Sequence, residues 1–276
     1  MPSRIVSIPF SDYGGPLFRD PDREKDVLLQ FLQEHTKKVK YLEIRGILSQ
    51  NNMFIRQNYY KRHILNLCLD PDVVRKNIDK RTVQYSIRKA KKIGVEIREE
   101  NTTRGLQEFY RLNTLTRKKH GIPPQPIRFF QAIFDNMISR GCASIFLAIW
   151  DSKIIAAGLF LKFEKTIYYK YNASDPQYLS KQSPNHLLTW VAIKRACLEG
   201  FEFLDFGRTS PDNEGLMRYK QMWGATPLEL PYYYYPKTKS TRMEGSRIYR
   251  ILTDIWRMLP NGIVETIGPK LQKYVA

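Results

Sequence analysis

The sequence predicts a mixed α/β (α+β) protein in which several strands follow one another through hairpins and helices separate the rest. Three observations lead there. Residues 143–150, 153–163 and 166–173 are strand-like and are parted only by Asp151-Ser152 and Glu164-Lys165, linkers of hairpin length. From Val95 onward these strands interleave with segments of helical period, so that the order reads β, α, α, β, β, β, α, β, α, β. Finally, 276 residues with 42% hydrophobic and 13% aromatic content can bury a substantial core, which excludes wholesale disorder.

Taken in order, residues 4–10 alternate as a strand and run into the turn cluster Ser11-Asp12-Tyr13-Gly14-Gly15-Pro16. Its paired glycines either close a loop or let backbone approach a ligand. Residues 22–37 place Val27, Leu28, Phe31 and Leu32 on one helical stripe. Segments 39–47 and 53–69 have strand character, the second bending near Lys61-Arg62. In 72–94, Arg75, Lys76, Lys80, Arg81, Arg88, Lys89, Lys91 and Lys92 oppose only Asp72 and Asp79, while Val83, Ile87 and Ala90 recur at helical spacing. That is a basic face beside an apolar one, either merely solvated or bound to phosphate. Gly94 stops this helix, and 95–98 begins a strand. Helices over 106–119 and 127–140 flank His120-Gly121-Ile122-Pro123-Pro124-Gln125-Pro126. After the three hairpin strands, 184–199 is helical, with Leu187, Leu188, Val191, Ile193 and Ala196 apolar and Gly200 as its stop.

The stretch 201–225 is built for chemistry. An aromatic strand meets Gly207, then Pro211-Asp212-Asn213, then a helix with Leu216, Tyr219 and Trp223 on one face and Arg218 and Lys220 pointing elsewhere. Asp212 or Asn213 caps that helix, and its free N–H groups, with Arg208 and Lys220 near in sequence, would form an electropositive pocket at the strand's end. The alternative is an ordinary βα unit. Residues 228–235 add a last strand. Two closing helices, 243–258 and 263–274, are parted by Pro260-Asn261-Gly262. The first sets Ile248, Ile251, Leu252, Ile255 and Leu259 against Arg247, Arg250 and Arg257, a face for docking on the body or for lying on an anionic membrane surface. The expected domains are 1–94, 95–236 and 237–276.

A formal charge of +18 and a pI near 9.7 favour nucleic acid, anionic membranes or phosphorylated substrates as partners. Cys68, Cys142 and Cys197 lie far apart among apolar neighbours and read as buried thiols of a reducing compartment. His35, His63, His120 and His186 show no metal-ligand spacing, so no metal is expected. With no signal pattern, and an apolar run of only 154–161, the expectation is a cytoplasmic protein.

The order of elements is similar to that of the GNAT acyltransferases, whose mixed sheet splays to admit acyl donor and amine acceptor. Enzymes of that fold using coenzyme A carry a glycine-rich pyrophosphate loop after the fourth strand. Here the connection 172–184 contains no glycine, and glycine is what lets amides crowd a phosphate.

Five motifs resemble the FemAB family, most closely its exosortase-associated branch. They are Ile8-Pro9-Phe10-Ser11-Asp12-Tyr13-Gly14-Gly15-Pro16, Ile87-Arg88-Lys89-Ala90-Lys91-Lys92-Ile93-Gly94-Val95, 116–126, Tyr168-Tyr169-Lys170-Tyr171-Asn172-Ala173-Ser174-Asp175, and 205–225 with Tyr219-Lys220-Gln221-Met222-Trp223-Gly224. The resemblance implies one complete GNAT-like lobe after a shortened first one. It also implies transfer of an amino acid from aminoacyl-tRNA to an amine of a cell-envelope or polysaccharide precursor; the closing helices leave open a cytoplasmic protein peripheral at the inner membrane surface. The tRNA donor would explain a basic surface without a coenzyme A loop. By resemblance, Lys220 lies near the transferring carbonyl.

Amide formation from an activated ester needs a neutral amine, a polarised carbonyl and a place for the tetrahedral oxyanion. Lys220 suits the oxyanion, Arg208 a phosphate, and Asp205 or Asp175 the incoming amine. Tyr169 and Tyr171, one strand period apart, either line one cleft or pack in the core. Further substrate contacts are expected from Asp12, Tyr13, Arg117, Lys170, Asn185, His186 and Asn213, and nucleic-acid contacts from Arg81, Arg88, Lys89, Lys91 and Lys92. No Ser-His-Asp order or activated cysteine points to an acyl-enzyme. No permanently bound cofactor is expected; aminoacyl-tRNA or acyl-CoA would be a co-substrate. The alternatives are an acyl-CoA-dependent N-acetyltransferase and a non-catalytic module binding RNA or another anionic polymer.

Overall fold

The computed structural model describes residues 4–8, 11–20, 23–35, 39–48, 53–236 and 247–275. The chain forms two compact units, each assembled from separated segments: Met1–Arg62, Arg208–Met217 and Pro227–Ser246 in the first, His63–Gly207, Arg218–Thr226 and Arg247–Ala276 in the second. These differ from the contiguous blocks expected from sequence. The chain changes unit inside strands and once inside the helix Glu214–Met222, and the basic segment ending at Gly94 belongs with the larger unit because its apolar stripe packs there.

In the first unit β1 (Arg4–Val6) pairs in parallel with β2 (Tyr41–Arg45), which runs antiparallel to β9 (Thr226–Tyr235). The helix α1 (Glu24–His35) buries Leu28 and Leu32 against Leu42, Ile44 and Tyr233. Val27, expected on the same stripe, is nearly half exposed. Residues 9–10, 22 and 36–37, which the expected strand and helix included, lie outside the described residues.

The second unit is organised by β4 (Glu96–Glu99), β5 (Ala143–Trp150), β6 (Lys153–Phe163) and β7 (Thr166–Ser174), antiparallel neighbours in that order, with β8 (Phe203–Thr209) parallel to β7. Alternation along β5 divides the apolar interior. Phe146 and Ala148 face a cluster with α3 (Val83–Lys92) and α7 (Pro184–Leu198), whereas Ile145 and Leu147 face α4 (Thr103–Lys119) and α5 (Ile127–Ile133). The three hairpin strands match the sequence expectation almost to the residue. The strand expected at 53–69 is one unbroken element, β3 (Ile55–Asn66).

Three departures have local causes. The basic segment is two helices, α2 (Pro71–Lys76) and α3, because Asp70 and Pro71 start the first and residues 77–82 turn. The glycine-free connection holds a 3₁₀ turn at Pro176–Tyr178 and the short α6 (Leu179–Gln182). The helix after Pro126 passes into a π turn at Phe134–Ile138. Cys142, expected to be buried, is exposed at the turn into β5.

The closing helices α9 (Arg247–Met258) and α10 (Asn261–Val275) dock on α4. Trp256 and Val264 are buried there, Lys118 donates to Asn261 Oδ1 at 2.8 Å, and Arg257 Nε donates to the Lys119 carbonyl at 3.1 Å. Residues 243–246 of the first expected helix, and the side chains of Arg247, Ile248 and Arg250, lie outside the described residues.

Candidate active site

Strands β7 and β8 are in register only from Thr166 opposite Phe203 to Tyr168 opposite Asp205, although both continue. The pairing stops where the side chains of interest begin. Asp205, 1% exposed, turns its carboxylate onto its own strand and accepts the Gly207 N–H at 2.7 Å. Gly207 has φ of 72°, a left-handed conformation that ordinary residues adopt only with strain. Its carbonyl accepts from the Lys220 ammonium at 2.9 Å. The two peptide groups that flank this residue are therefore each held by a side chain.

Lys220 projects from α8 (Glu214–Met222) and is 5% exposed, so the expectation that it points away from the buried face is corrected. Leu216, expected on that face, is exposed. Taking an ammonium out of water costs several kcal/mol unless hydrogen bonds replace its hydration, and Gly207 supplies one acceptor.

Behind this peptide lies an aromatic wall. Trp223 stacks nearly parallel to His186 (centroids 6.2 Å apart, 20° between planes), and Tyr219 meets both rings edge-on. Burial lowers the His186 pKa and raises those of the Tyr169 and Tyr219 phenols. These groups stay neutral near pH 7. Sequence reasoning found His186 and Tyr169 but not Thr189, whose buried hydroxyl lies beside both phenols.

The two strand tyrosines do not share a cleft. Leu159 faces Tyr171 but Phe160 faces Tyr169, so Lys170 is an extra residue in β7. Such a bulge resets the alternation. Tyr169 consequently packs with Phe160 and Phe206, and Tyr171 with Phe109 and Phe130 in the other cluster. Lys170 lies over the Tyr171 ring at 6.0 Å.

Several other expected contacts serve the backbone. Asp175 accepts from Gln177 N at 3.0 Å to start the 3₁₀ turn, and Asn213 caps α8 through Leu216 N at 3.1 Å. Arg117 ends α4 with a buried Nε, and the Asn185 Oδ1 is buried without a hydrogen-bond partner among the described residues. On α3, Arg88, Lys91 and Lys92 are exposed, as is Arg81 before it, while Lys89 donates to the Ser180 carbonyl at 3.0 Å.

The first unit holds a separate polar constellation. Arg208 donates to the Tyr232 hydroxyl at 2.7 Å, pairs with Asp12 at 3.5 Å and stacks over Tyr60 at 4.5 Å. Burial opposes its charge, but Tyr232, Tyr60 and Asp12 outweigh that and raise its pKa. Tyr232, pushed up to about 12 by burial against the opposing pull of Arg208 and Arg45, donates to the Asp12 carbonyl at 2.5 Å. Arg45, paired with Glu43 at 2.7 Å, donates to the Ser11 carbonyl. The Asp12 loop is thereby fixed beside a cleft of about 180 Å³ lined by Tyr13, Gly15, Gly46, Ile47, Arg62 and Glu229. Arg62 covers the Tyr13 ring at 5.4 Å. Sequence reasoning singled out Asp12, Tyr13 and Arg208 here. It missed Arg45 and Glu43, whose alternation on a strand gave no signal of a paired charge.

A family model described as Acetyltransferase (GNAT) domain matches residues 79–221, more than half of the chain. The chain belongs to this family. Over 84 residues it is 36% identical to the UDP-N-acetylmuramoylpentapeptide-lysine N(6)-alanyltransferase of Weissella viridescens, a match covering 29% of this chain and 24% of that relative. The chain thus matches about a quarter of the relative's length. Among solved structures it resembles FemX, with a TM-score of 0.61, 16% identity and 82% of each chain covered. It also resembles L-PGS from Bacillus licheniformis, with a TM-score of 0.59 and 12% identity over 87% of this chain and 80% of that one. At these identities the structural likeness speaks for fold alone. The expected GNAT-like fold is borne out by the family model and the solved structures, and the Fem-type resemblance has its counterpart in the 84-residue match to the alanyltransferase and in the fold shared with FemX. Among the described residues no group of three or more His, Cys, Asp or Glu is arranged to hold a metal, and no helix is long and apolar enough to cross a membrane.

Proposed function

We propose that this GNAT-family chain is a Fem-type aminoacyl or acyl transferase that forms an amide on an amine-bearing envelope or polysaccharide precursor at the cytoplasmic face of the inner membrane. The acceptor amine attacks the carbonyl carbon of an ester donor. The tetrahedral oxyanion then collapses, the carbon–oxygen bond to the donor breaks, and the amine's proton leaves to the released hydroxyl or to solvent. The observation that supports this most is the buried Lys220 ammonium, held by the Gly207 carbonyl just past the point where β7 and β8 stop pairing. A fixed cation in a water-poor site stabilises developing negative charge far better than one in bulk water.

Aminoacyl-tRNA is the donor we favour, in line with the Fem-type resemblance. The glycine-free turn and α6 replace the loop that would cradle a pyrophosphate, and exposed Arg81, Arg88, Lys91 and Lys92 offer a phosphate-binding face. In this reading Arg208, beside the Asp12 loop, contacts a phosphate of donor or acceptor.

The test is single-turnover transfer from alanyl-tRNA to a lysine-containing UDP-muramoyl pentapeptide, with acetyl-CoA as the competing donor. Lys220→Ala is expected to slow transfer by about 10²-fold or more while leaving the folded fraction intact by circular dichroism. Undiminished transfer by the variant would remove Lys220 from the chemistry, and transfer from acetyl-CoA alone would overturn the choice of donor.

A further inference from the structure

The outward face of α9 and α10 has no role in the transfer chemistry. On α9, Ile251, Leu252, Ile255 and Met258 are 51%, 59%, 53% and 83% exposed. Ile263, Ile267 and Leu271 on α10 are exposed at successive turns. The opposite sides are already committed, since Trp256, Val264 and Gln272 are buried and Gly268 lies against Pro124 and Trp256. Both helices are tied to the end of α4, so the exposed stripe has no inward surface left to fold onto.

Cations lie on the elements that carry and anchor this stripe. The last turn of α4 carries Arg117, Lys118 and Lys119, with Lys118 and the Lys119 carbonyl bonded to the closing helices. Exposed Lys270 and Arg257, the latter paired with Asp254 at 2.9 Å, lie on those helices themselves, and Asp254 and Glu265 are the only acids between residues 247 and 275. A second copy of this chain would bring +18 against +18, a repulsive pairing at low salt. An anionic bilayer surface satisfies both the apolar stripe and its basic collar.

We propose that α9 and α10 seat the protein on anionic membrane surfaces by lying in the interface. At 1.5 Å per residue the helices are roughly 18 and 22 Å long, short of the ~30 Å hydrocarbon core, so the apolar stripe enters the acyl boundary while the basic collar meets the headgroups. The seat is independent of which donor the active site uses. It would bring the enzyme to a lipid-borne acceptor and confine transfer to two dimensions.

The test is co-sedimentation of the full chain with vesicles of phosphatidylglycerol mixed with phosphatidylcholine, against phosphatidylcholine alone, at low and high salt. The protein is expected to pellet with the anionic vesicles and to be released by salt. The triple variant Ile251→Ser, Ile255→Ser, Met258→Ser is expected to lose at least about tenfold in partitioning. A matching melting curve verifies its fold, and Met258→Ser alone, at the most exposed position, serves if the triple variant unfolds. Three results overturn the proposal: no pelleting at low salt, equal pelleting with neutral vesicles, or parental binding by a folded variant. A dimer in sedimentation velocity that the variant abolishes would instead assign the face to a second copy.

Discussion

Gly207 is the residue on which the second unit's site turns. Its N–H is held by Asp205, its carbonyl by Lys220, and its φ of 72° lets the strand turn between them. An alanine there keeps both bonds only by straining a left-handed backbone, which costs about 1–2 kcal/mol per residue. Gly207→Ala is therefore expected to lower unfolding free energy in urea by roughly that amount and to slow transfer as well, because the peptide that orients the ammonium shifts. A variant with parental stability and full transfer would show that the clamp positions nothing. The sequence made Lys220 and Asp205 visible as chemistry-bearing residues. It hid that they hold the two peptides on either side of Gly207, because a lysine on a helix is ordinarily solvated and nothing in 205–220 marks a contact between a strand carbonyl and a side chain about two helical turns beyond the cap.

At the scale of elements, α3 separates stability from charge within ten residues. Val83, Ile87 and Ala90 are buried in the cluster that includes Trp190, Ile193 and Ala196 of α7, while Arg88, Lys91 and Lys92 are exposed. Ile87→Ala should destabilise by about 2–4 kcal/mol through lost burial and a cavity; Lys91→Glu should leave unfolding within about 0.5 kcal/mol of the parent. Urea titration of the two variants checks the division, and a large loss for Lys91→Glu would mean that this cation is structural. The hairpin strands β5 to β7 were legible because two-residue linkers fix them from local sequence alone. The bulge at Lys170 was not. Tyr169, Lys170 and Tyr171 alternate in sequence as any strand does, and only the cross-strand register with Leu159 and Phe160 reveals the extra residue that sends the tyrosines to opposite faces.

For the molecule as a whole, the charge of +18 decides how binding responds to ionic strength. Each phosphate neutralised by a lysine or arginine releases counterions, so the affinity for a polyanion falls steeply with salt, by roughly 0.7–0.9 in logarithmic slope per contact. The sequence revealed the excess charge but not its use, since composition cannot say which cations share an exposed face. In the folded chain Lys89 is drawn to the Ser180 carbonyl, whereas Arg81, Arg88, Lys91 and Lys92 are exposed. Reversing Arg88, Lys91 and Lys92 to glutamate should therefore lower tRNA affinity and flatten the logarithmic salt dependence by about two to three, measured by fluorescence anisotropy over a salt series. The same variant should keep its affinity for the isolated pentapeptide acceptor. A parental slope would place the tRNA elsewhere on the basic surface, and equal losses for tRNA and pentapeptide would mean that the substitutions had damaged the fold rather than an RNA-binding face.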